Sequence, residues 1–243
     1  MTDLTALRGA TIVFDLDGTL VESAPDVIGA VNAVLVADGF EPLPYDTGRP
    51  LISRGARGVL QYALAAAGAQ DPAAGADALF GRFLAHYGAH LADRSRPFPG
   101  VVGALEHLRA AGARRVVCTN KPTGLSRRLL AELGMAGLID DVVGVDAVSA
   151  VKPAAAHLIE AVAAVGGDLA RTVMVGDADT DAGSARAAGT PLILVDFGYT
   201  EVPAAELAPD ILLHHFDDLV GACVRLLTPG MAGRADVHGG DGC

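Results

Sequence analysis

Long apolar runs, a leading signal segment, cysteine and lysine are all scarce in this chain. Although 51% of its 243 residues are hydrophobic, no uninterrupted apolar stretch approaches the roughly 18 residues of a membrane-spanning helix. Met1 to Gly9 holds two charged residues and no apolar signal, so secretion is not expected. The three cysteines, Cys118, Cys223 and Cys243, are far apart, fit no metal spacing and leave one unpaired, which predicts a reducing cytoplasm. Positive charge is short too: 18 basic residues face 29 acidic ones, a formal net charge of −11. Nucleic acids and anionic membranes demand a basic face, so neither is expected as a partner. Two of the basic residues are lysines, Lys121 and Lys152, and the rest arginines. A lysine retained in such a chain points to a place for a compact ammonium where a planar fork would not fit, though chance also allows two.

Against that background VFDLDGTL, Val13 to Leu20, stands out. Thr11 to Phe14 reads as a short buried strand, and Gly18-Thr19 turns the chain just after Asp15 and Asp17. In an open α/β sheet, ligands sit beyond the carboxyl ends of the strands, where these two aspartates would project. Two close carboxylates repel unless a cation lies between them, and Mg²⁺ prefers oxygen ligands. A solvated strand-end turn would look similar taken alone.

Apolar spacing marks helices over Ser23 to Asp38, Ser53 to Gly68 and Asp71 to Leu91, with Ser23 and Gly39 as start and stop and a polar link, Glu41 to Pro50, between the first two. No strand is evident in that block, which reads as a helical insert over the strand ends. From Phe98 on, strands and helices alternate: strands over Arg114 to Asn120, Asp140 to Asp146, Arg171 to Asp177 and Pro191 to Gly198, then a short strand and a helix in Asp210 to Leu227. The helices between run over Val101 to Gly112, Thr123 to Gly134, Pro153 to Gly166, with the proline at its first position, and Thr180 to Gly189. Such alternation predicts a parallel sheet covered on both faces.

The polar clusters fall at the ends of those strands. Thr119 and Asn120, Lys152, and Asp177 with Asp181 all reach the rim that carries Asp15 and Asp17. Together they suit phosphoryl transfer through a carboxylate nucleophile, a second carboxylate for acid-base work, and positive groups to hold the spread charge. Singly, each has an ordinary alternative: turn formers, a surface lysine, a first-turn aspartate favoured by the helix dipole. His214 and His215 read as a solvated loop, with no carboxylate or cysteine at ligand spacing, and His86 and His90 as a surface pair.

FDLDGTL (Phe14 to Leu20), CTNKP (Cys118 to Pro122), VKP (Val151 to Pro153) and GDADTD (Gly176 to Asp181) resemble, in order and spacing, the four motifs of the haloacid dehalogenase-like superfamily, and within it the phosphoglycolate phosphatase group. The resemblance runs from about Thr11 to Leu227. It implies an α/β, Rossmann-like parallel-sheet core, 1–20 and 96–229, a helical cap domain inserted after the first strand, 21–95, and a flexible tail, 230–243. It further implies Asp15 as nucleophile and Asp17 as acid and base. Mg²⁺ would be held by the Asp15 carboxylate, the Asp17 backbone carbonyl and Asp177. Thr119, the Asn120 backbone and Lys152 would hold the phosphoryl group, with Asp181 orienting Lys152 or a metal water. Ala178 stands where a serine is common. Arg54 and Arg57, where the family has a substrate-facing loop, could grip a substrate carboxylate with a bidentate fork. The expected activity is Mg²⁺-dependent hydrolysis of a small phosphorylated metabolite, plausibly 2-phosphoglycolate, by a monomer or homodimer. A sugar-phosphate mutase and a non-catalytic phosphate- or carboxylate-binding protein are the alternatives. A dehalogenase would not need Asp17.

Overall fold

The computed structural model describes residues 3–228; the tail 230–243 and Cys243 therefore lie outside the described residues. Thr11, Ile12, Val13 and Phe14 are all fully buried, and a strand apolar on both faces has to be covered on both. This is β1 (Thr11–Phe14). The short β2 (Val21–Glu22) leads into α1 (Ala24–Ala37), α2 (Tyr45–Gly48), α3 (Gly55–Ala66) and α4 (Pro72–Ala89), and β3 (Arg96–Pro97) returns antiparallel to β2. After that strands and helices alternate: α5 (Val101–Ala110), β4 (Arg114–Thr119), α6 (Thr123–Glu132), β5 (Asp141–Gly144), α7 (Ala155–Ala164), β6 (Thr172–Gly176), α8 (Asp179–Ala188) and β7 (Leu192–Val195). β8 (Ile211–Leu213) and α9 (Leu219–Leu227) close the chain.

The main sheet has the order β5-β4-β1-β6-β7-β8 and every pairing is parallel. The strand order reverses at β1, and beyond the carboxyl end of such a switch point the flanking loops diverge and leave a crevice. Alternation along β1 divides the core. Ile12 and Phe14 join Leu105 and Leu108 of α5, Leu129 of α6 and Cys223 of α9. Val13 joins Leu158 and Val162 of α7 with Ala182 and Ala185 of α8. Truncating Phe14 to alanine would cost about 3–5 kcal/mol, the transfer term plus the cavity left behind. The first cluster runs on through Leu20 and Val21 into Val31 and Leu35 of α1, Leu60 of α3 and Leu79 of α4. Among the described residues no helix is long and apolar enough to cross a membrane.

Ser23 stands at the N-cap of α1, where the sequence reading starts the helix, though its side chain caps nothing; its hydroxyl donates to Asp17 at 2.5 Å. The Tyr199 hydroxyl takes over the helix start, accepting the Ser23 and Ala24 N–H groups at 2.7 and 2.9 Å and donating to Glu22 at 2.6 Å, which uses the full capacity of one hydroxyl. Pro153 is not the first residue of α7, which begins at Ala155. The link before α3 is not coil throughout: it holds α2, and a 3-10 turn, Pro50–Arg54, delays α3 to Gly55.

Candidate active site

The loop after β1 is shaped around Asp177. Asp15 extends the ladder, its N–H donating to the Val175 carbonyl at 2.9 Å. At Gly18 φ is +91°, and a Cβ there would stand 2.3 Å from Asp177 Oδ2; only glycine permits both. The next residue, Thr19, donates from Oγ1 to Asp177 Oδ1 at 2.7 Å, and the Tyr199 N–H donates to Oδ2 at 2.7 Å. Gly198 matters for the same reason, since a Cβ on it would lie 2.2 Å from Asp177 Cβ.

Asp15, Asp177 and Asp181 each offer a carboxylate oxygen, all within 4.8 Å of one another. Burial, then the neighbouring charges, raises the Asp15 carboxyl from 3.8 to about 6, against the pull of Lys152. Burial, followed by Asp181 and Asp15, likewise raises Asp177 well above the ordinary range. Lys152 lies between the acids: its Nζ is 2.7 Å from Asp181 Oδ1 and 2.8 Å from Asp15 Oδ1. The second contact is an ion pair rather than a well-aligned hydrogen bond, so the buried Asp15 Oδ1 is only partly satisfied. Burial pulls the ammonium pKa down, and Asp15 with Asp181 outweigh it, leaving Lys152 raised.

An under-satisfied buried oxygen among mutually repelling carboxylates fits a hard divalent cation such as Mg²⁺. Asp181 is otherwise engaged: Oδ2 accepts the Asp177 and Ala178 N–H groups at 3.0 and 3.1 Å. It thereby supplies the carboxylate half of a capping box at the start of α8; the other half, a hydroxyl at 178 accepting the Asp181 N–H, is missing because the residue is alanine. Asp17, also expected near the cation, keeps its carboxylate outside this trio. It faces Ser23 and Lys121, whose Nζ lies 2.9 and 3.2 Å from its two oxygens.

Lys121 is the residue that sequence reasoning left without a role, although its scarcity marked it. It is buried, bonds the Tyr87 hydroxyl of α4, and so joins the insert to Asp17. Tyr87 itself carried no sequence signal. Thr119 is buried at the end of β4. The Asn120 side chain donates to the Lys152 carbonyl at 3.1 Å, a long-range contact with no local signal.

Asp15, Asp17, Lys121 and Lys152 line one cavity of about 650 Å³, whose other wall includes Arg54 and Arg57 of the insert. Both arginines already hold carboxylates: Arg54 grips Glu201 through Nε and Nη2, and Arg57 pairs with Asp77 while stacking over Phe80 at 3.9 Å. The histidines remain apart from the cavity wall. His86 and His90 stack with ring centres 4.7 Å apart, and His90 pairs with Asp93. Contrary to the sequence reading, carboxylates do lie beside the other two, Asp196 by His214 and Asp217 by His215, one each. Among the described residues Cys118 and Cys223 are both free and buried.

A parallel sheet with a helical insert after its first strand, and with a carboxylate trio and a buried lysine at its switch point, defines a class: an α/β enzyme with its polar site at the carboxyl ends of the central strands. The chain belongs to the haloacid dehalogenase-like hydrolase family, which matches residues 10–189. It is similar to the phosphoglycolate phosphatase of Caulobacter vibrioides, 50% identical over 228 residues, or 94% of this chain and 96% of that protein. The phosphoglycolate phosphatase of Agrobacterium fabrum is 39% identical over 90% of this chain and 95% of its own length. Among solved structures, a predicted phosphoglycolate phosphatase from Haemophilus somnus superposes with a TM-score of 0.80 at 27% identity, covering 89% of this chain and 98% of that one.

Proposed function

We propose that this hydrolase is a Mg²⁺-dependent phosphatase of small phosphorylated metabolites, with 2-phosphoglycolate as its substrate. The observation that carries the reading is the seating of Asp15: a largely buried carboxylate, 2.8 Å from the Lys152 ammonium and grouped with Asp177 and Asp181, on the floor of the cavity. The residues 21–95 act as a cap over a core made of 1–20 and 96–229, and substrate enters between them.

At about 6, the Asp15 pKa leaves the group ionised at neutral pH. Asp15 attacks phosphorus; the bond from phosphorus to the ester oxygen breaks, and its electron pair leaves with that oxygen. Asp17, steered by Ser23 and Lys121, gives the leaving oxygen a proton. A water that hands its proton back to Asp17 then attacks the aspartyl phosphate, and its oxygen joins phosphorus as the Asp15–phosphorus ester bond breaks. Lys152, Thr119 and the Asn120 backbone hold the equatorial oxygens, where charge is spread. The Asp15 and Asp177 carboxylates and the Asp17 carbonyl would hold Mg²⁺, which would supply neutralisation of the phosphoryl charge. Asp181 holds Lys152 in place. Arg54 and Arg57 read the substrate carboxylate, and Arg54 exchanges Glu201 for it.

Phosphate release from 2-phosphoglycolate and a panel of other phosphate esters, with Mg²⁺ and then with chelator, tests the reading. Release from 2-phosphoglycolate that chelator stops supports it. Absence of release from every ester overturns it, and conversion of glucose 1-phosphate to the 6-phosphate would make the protein a mutase.

A further inference from the structure

We propose that His157 is a positioning residue that fixes the backbone of Lys152, and through it the ammonium beside Asp15. His157 lies on α7 and is fully buried, yet it stands outside the cavity wall and touches none of the acidic trio through a hydrogen bond. Its Nδ1 faces the Lys152 N–H at 3.2 Å, and its Nε2 faces the Val143 carbonyl at 3.0 Å. An amide N–H only donates and a carbonyl only accepts, so both ring nitrogens have forced roles. Nδ1 is the bare acceptor and Nε2 carries the hydrogen. Burial lowers the imidazole pKa; of the charged groups around it, Lys152 acts in the same direction and Glu160 and Asp181 oppose. The ring is thus a neutral strut between β5 and the loop that bears Lys152.

Lys152 is held at each of its polar groups. His157 accepts its N–H, the Asn120 side chain donates to its carbonyl, Asp181 accepts from its ammonium and Asp15 forms an ion pair with it. A lysine side chain has four rotatable bonds, so where its nitrogen rests depends on where its backbone is anchored. Removing the acceptor at Nδ1 leaves a buried N–H unpaired and releases one end of the clamp. A displacement of about 1 Å at a reacting group can cost on the order of a hundredfold in rate. The inference rests on Lys152 serving the phosphoryl transfer proposed above.

Two amides separate the two nitrogens. In His157→Asn, Oδ1 stands near the position of Nδ1 and accepts from Lys152. In His157→Gln, the amide nitrogen stands near Nε2, keeps Val143 and leaves the Lys152 N–H bare. With saturating Mg²⁺ and 2-phosphoglycolate, kcat should fall about tenfold or more in the glutamine variant and stay within about threefold in the asparagine variant. KM and thermal midpoint should differ little between the pair. Equal losses, the reverse order, or losses that follow the thermal midpoints overturn the proposal. The unmodified enzyme gives a second reading that needs no variant: ¹⁵N-histidine NMR should report a bare Nδ1 and a protonated Nε2 at pH 7. A protonated Nδ1 overturns the proposal. If the unmodified enzyme releases no phosphate, the phosphatase reading fails and this proposal with it. If it turns over and only the variant order or the NMR result is wrong, the role of His157 alone falls.

Discussion

Replacing Asp15 by asparagine should abolish turnover and at the same time make the metal-free protein more stable, by an amount that depends on pH. The Asp15 carboxyl is shifted from an ordinary 3.8 to about 6, chiefly by burial. Its side chain is only 14% exposed, so solvent screening takes little from the effect. Below 3.8 the acid is protonated in folded and unfolded chains alike, and the shift costs nothing. Between 3.8 and about 6 the unfolded chain gives up its proton while the folded one keeps it, so stability is lost across that window. Above about 6 the whole cost is in place, and a gap of roughly two pH units corresponds to about 3 kcal/mol. Asparagine imitates the protonated acid at every pH. Urea unfolding in chelator should therefore find Asp15→Asn close to the parent protein near pH 4 and about 3 kcal/mol more stable near pH 7.5. Taking the difference between the two proteins cancels the titrating groups that do not feel Asp15; Asp177 and Lys152 do feel it, and their altered titration is part of the difference. Added Mg²⁺ should narrow the gap, because the parent gains more from a cation than the variant does. A difference that does not change with pH, or one that favours the parent at pH 7.5, would refute the electrostatic account of the acidic trio.

Lys121→Met should remove the buried partner of Asp17 and cost about 3 kcal/mol in urea unfolding. It should also lower kcat more for alkyl phosphates, whose leaving oxygen needs a proton, than for nitrophenyl phosphate. Equal losses on both ester types would take Asp17 out of the acid role that Lys121 is read as supporting. Gly198→Ala would press a Cβ to 2.2 Å from Asp177 Cβ, and the Mg²⁺ concentration for half-maximal activity should rise roughly tenfold; an unchanged Mg²⁺ titration contradicts the seat described for Asp177. Arg54→Ala or Arg57→Ala should raise KM for 2-phosphoglycolate far more than for a neutral aryl phosphate. The same rise on both substrates removes carboxylate recognition from that arginine.

The sheet was legible because its strands announce themselves locally. Thr11 to Phe14 is branched, aromatic and apolar on both faces, and it occupies the centre where such a strand has to sit. The convergence of Asp15, Lys152, Asp177 and Asp181 was legible too, since each follows a strand and parallel strands deliver their ends to one rim. Contacts between distant residues were not. Ser23 has the chemistry of a cap, and nothing nearby says that its hydroxyl goes to Asp17 while Tyr199, 176 residues further on, takes its N–H. Lys121 was noticed for its rarity, but its partner depends on how α4 lies over the strand ends. Arg54 was expected to face a ligand and does line the cavity, yet its present partner is Glu201, 147 residues away. Local periodicity carries the first kind of information, whereas the second exists only once the chain has closed on itself.

Tyr199 has one end in each half of the molecule. Its amide steadies Asp177, and its phenol grips Ser23 and Ala24 where the helical insert departs from the core. Arg49 of the insert lies over its ring and bonds the carbonyls of Phe197 and Gly198 just before it. The departure of the insert and the seat of Asp177 therefore meet in one residue, the first through its phenol and the second through its backbone N–H. Tyr199→Phe would cut the phenol's ties to Ser23, Ala24 and Glu22 and leave the N–H on Asp177, so the two attachments can be loosened separately.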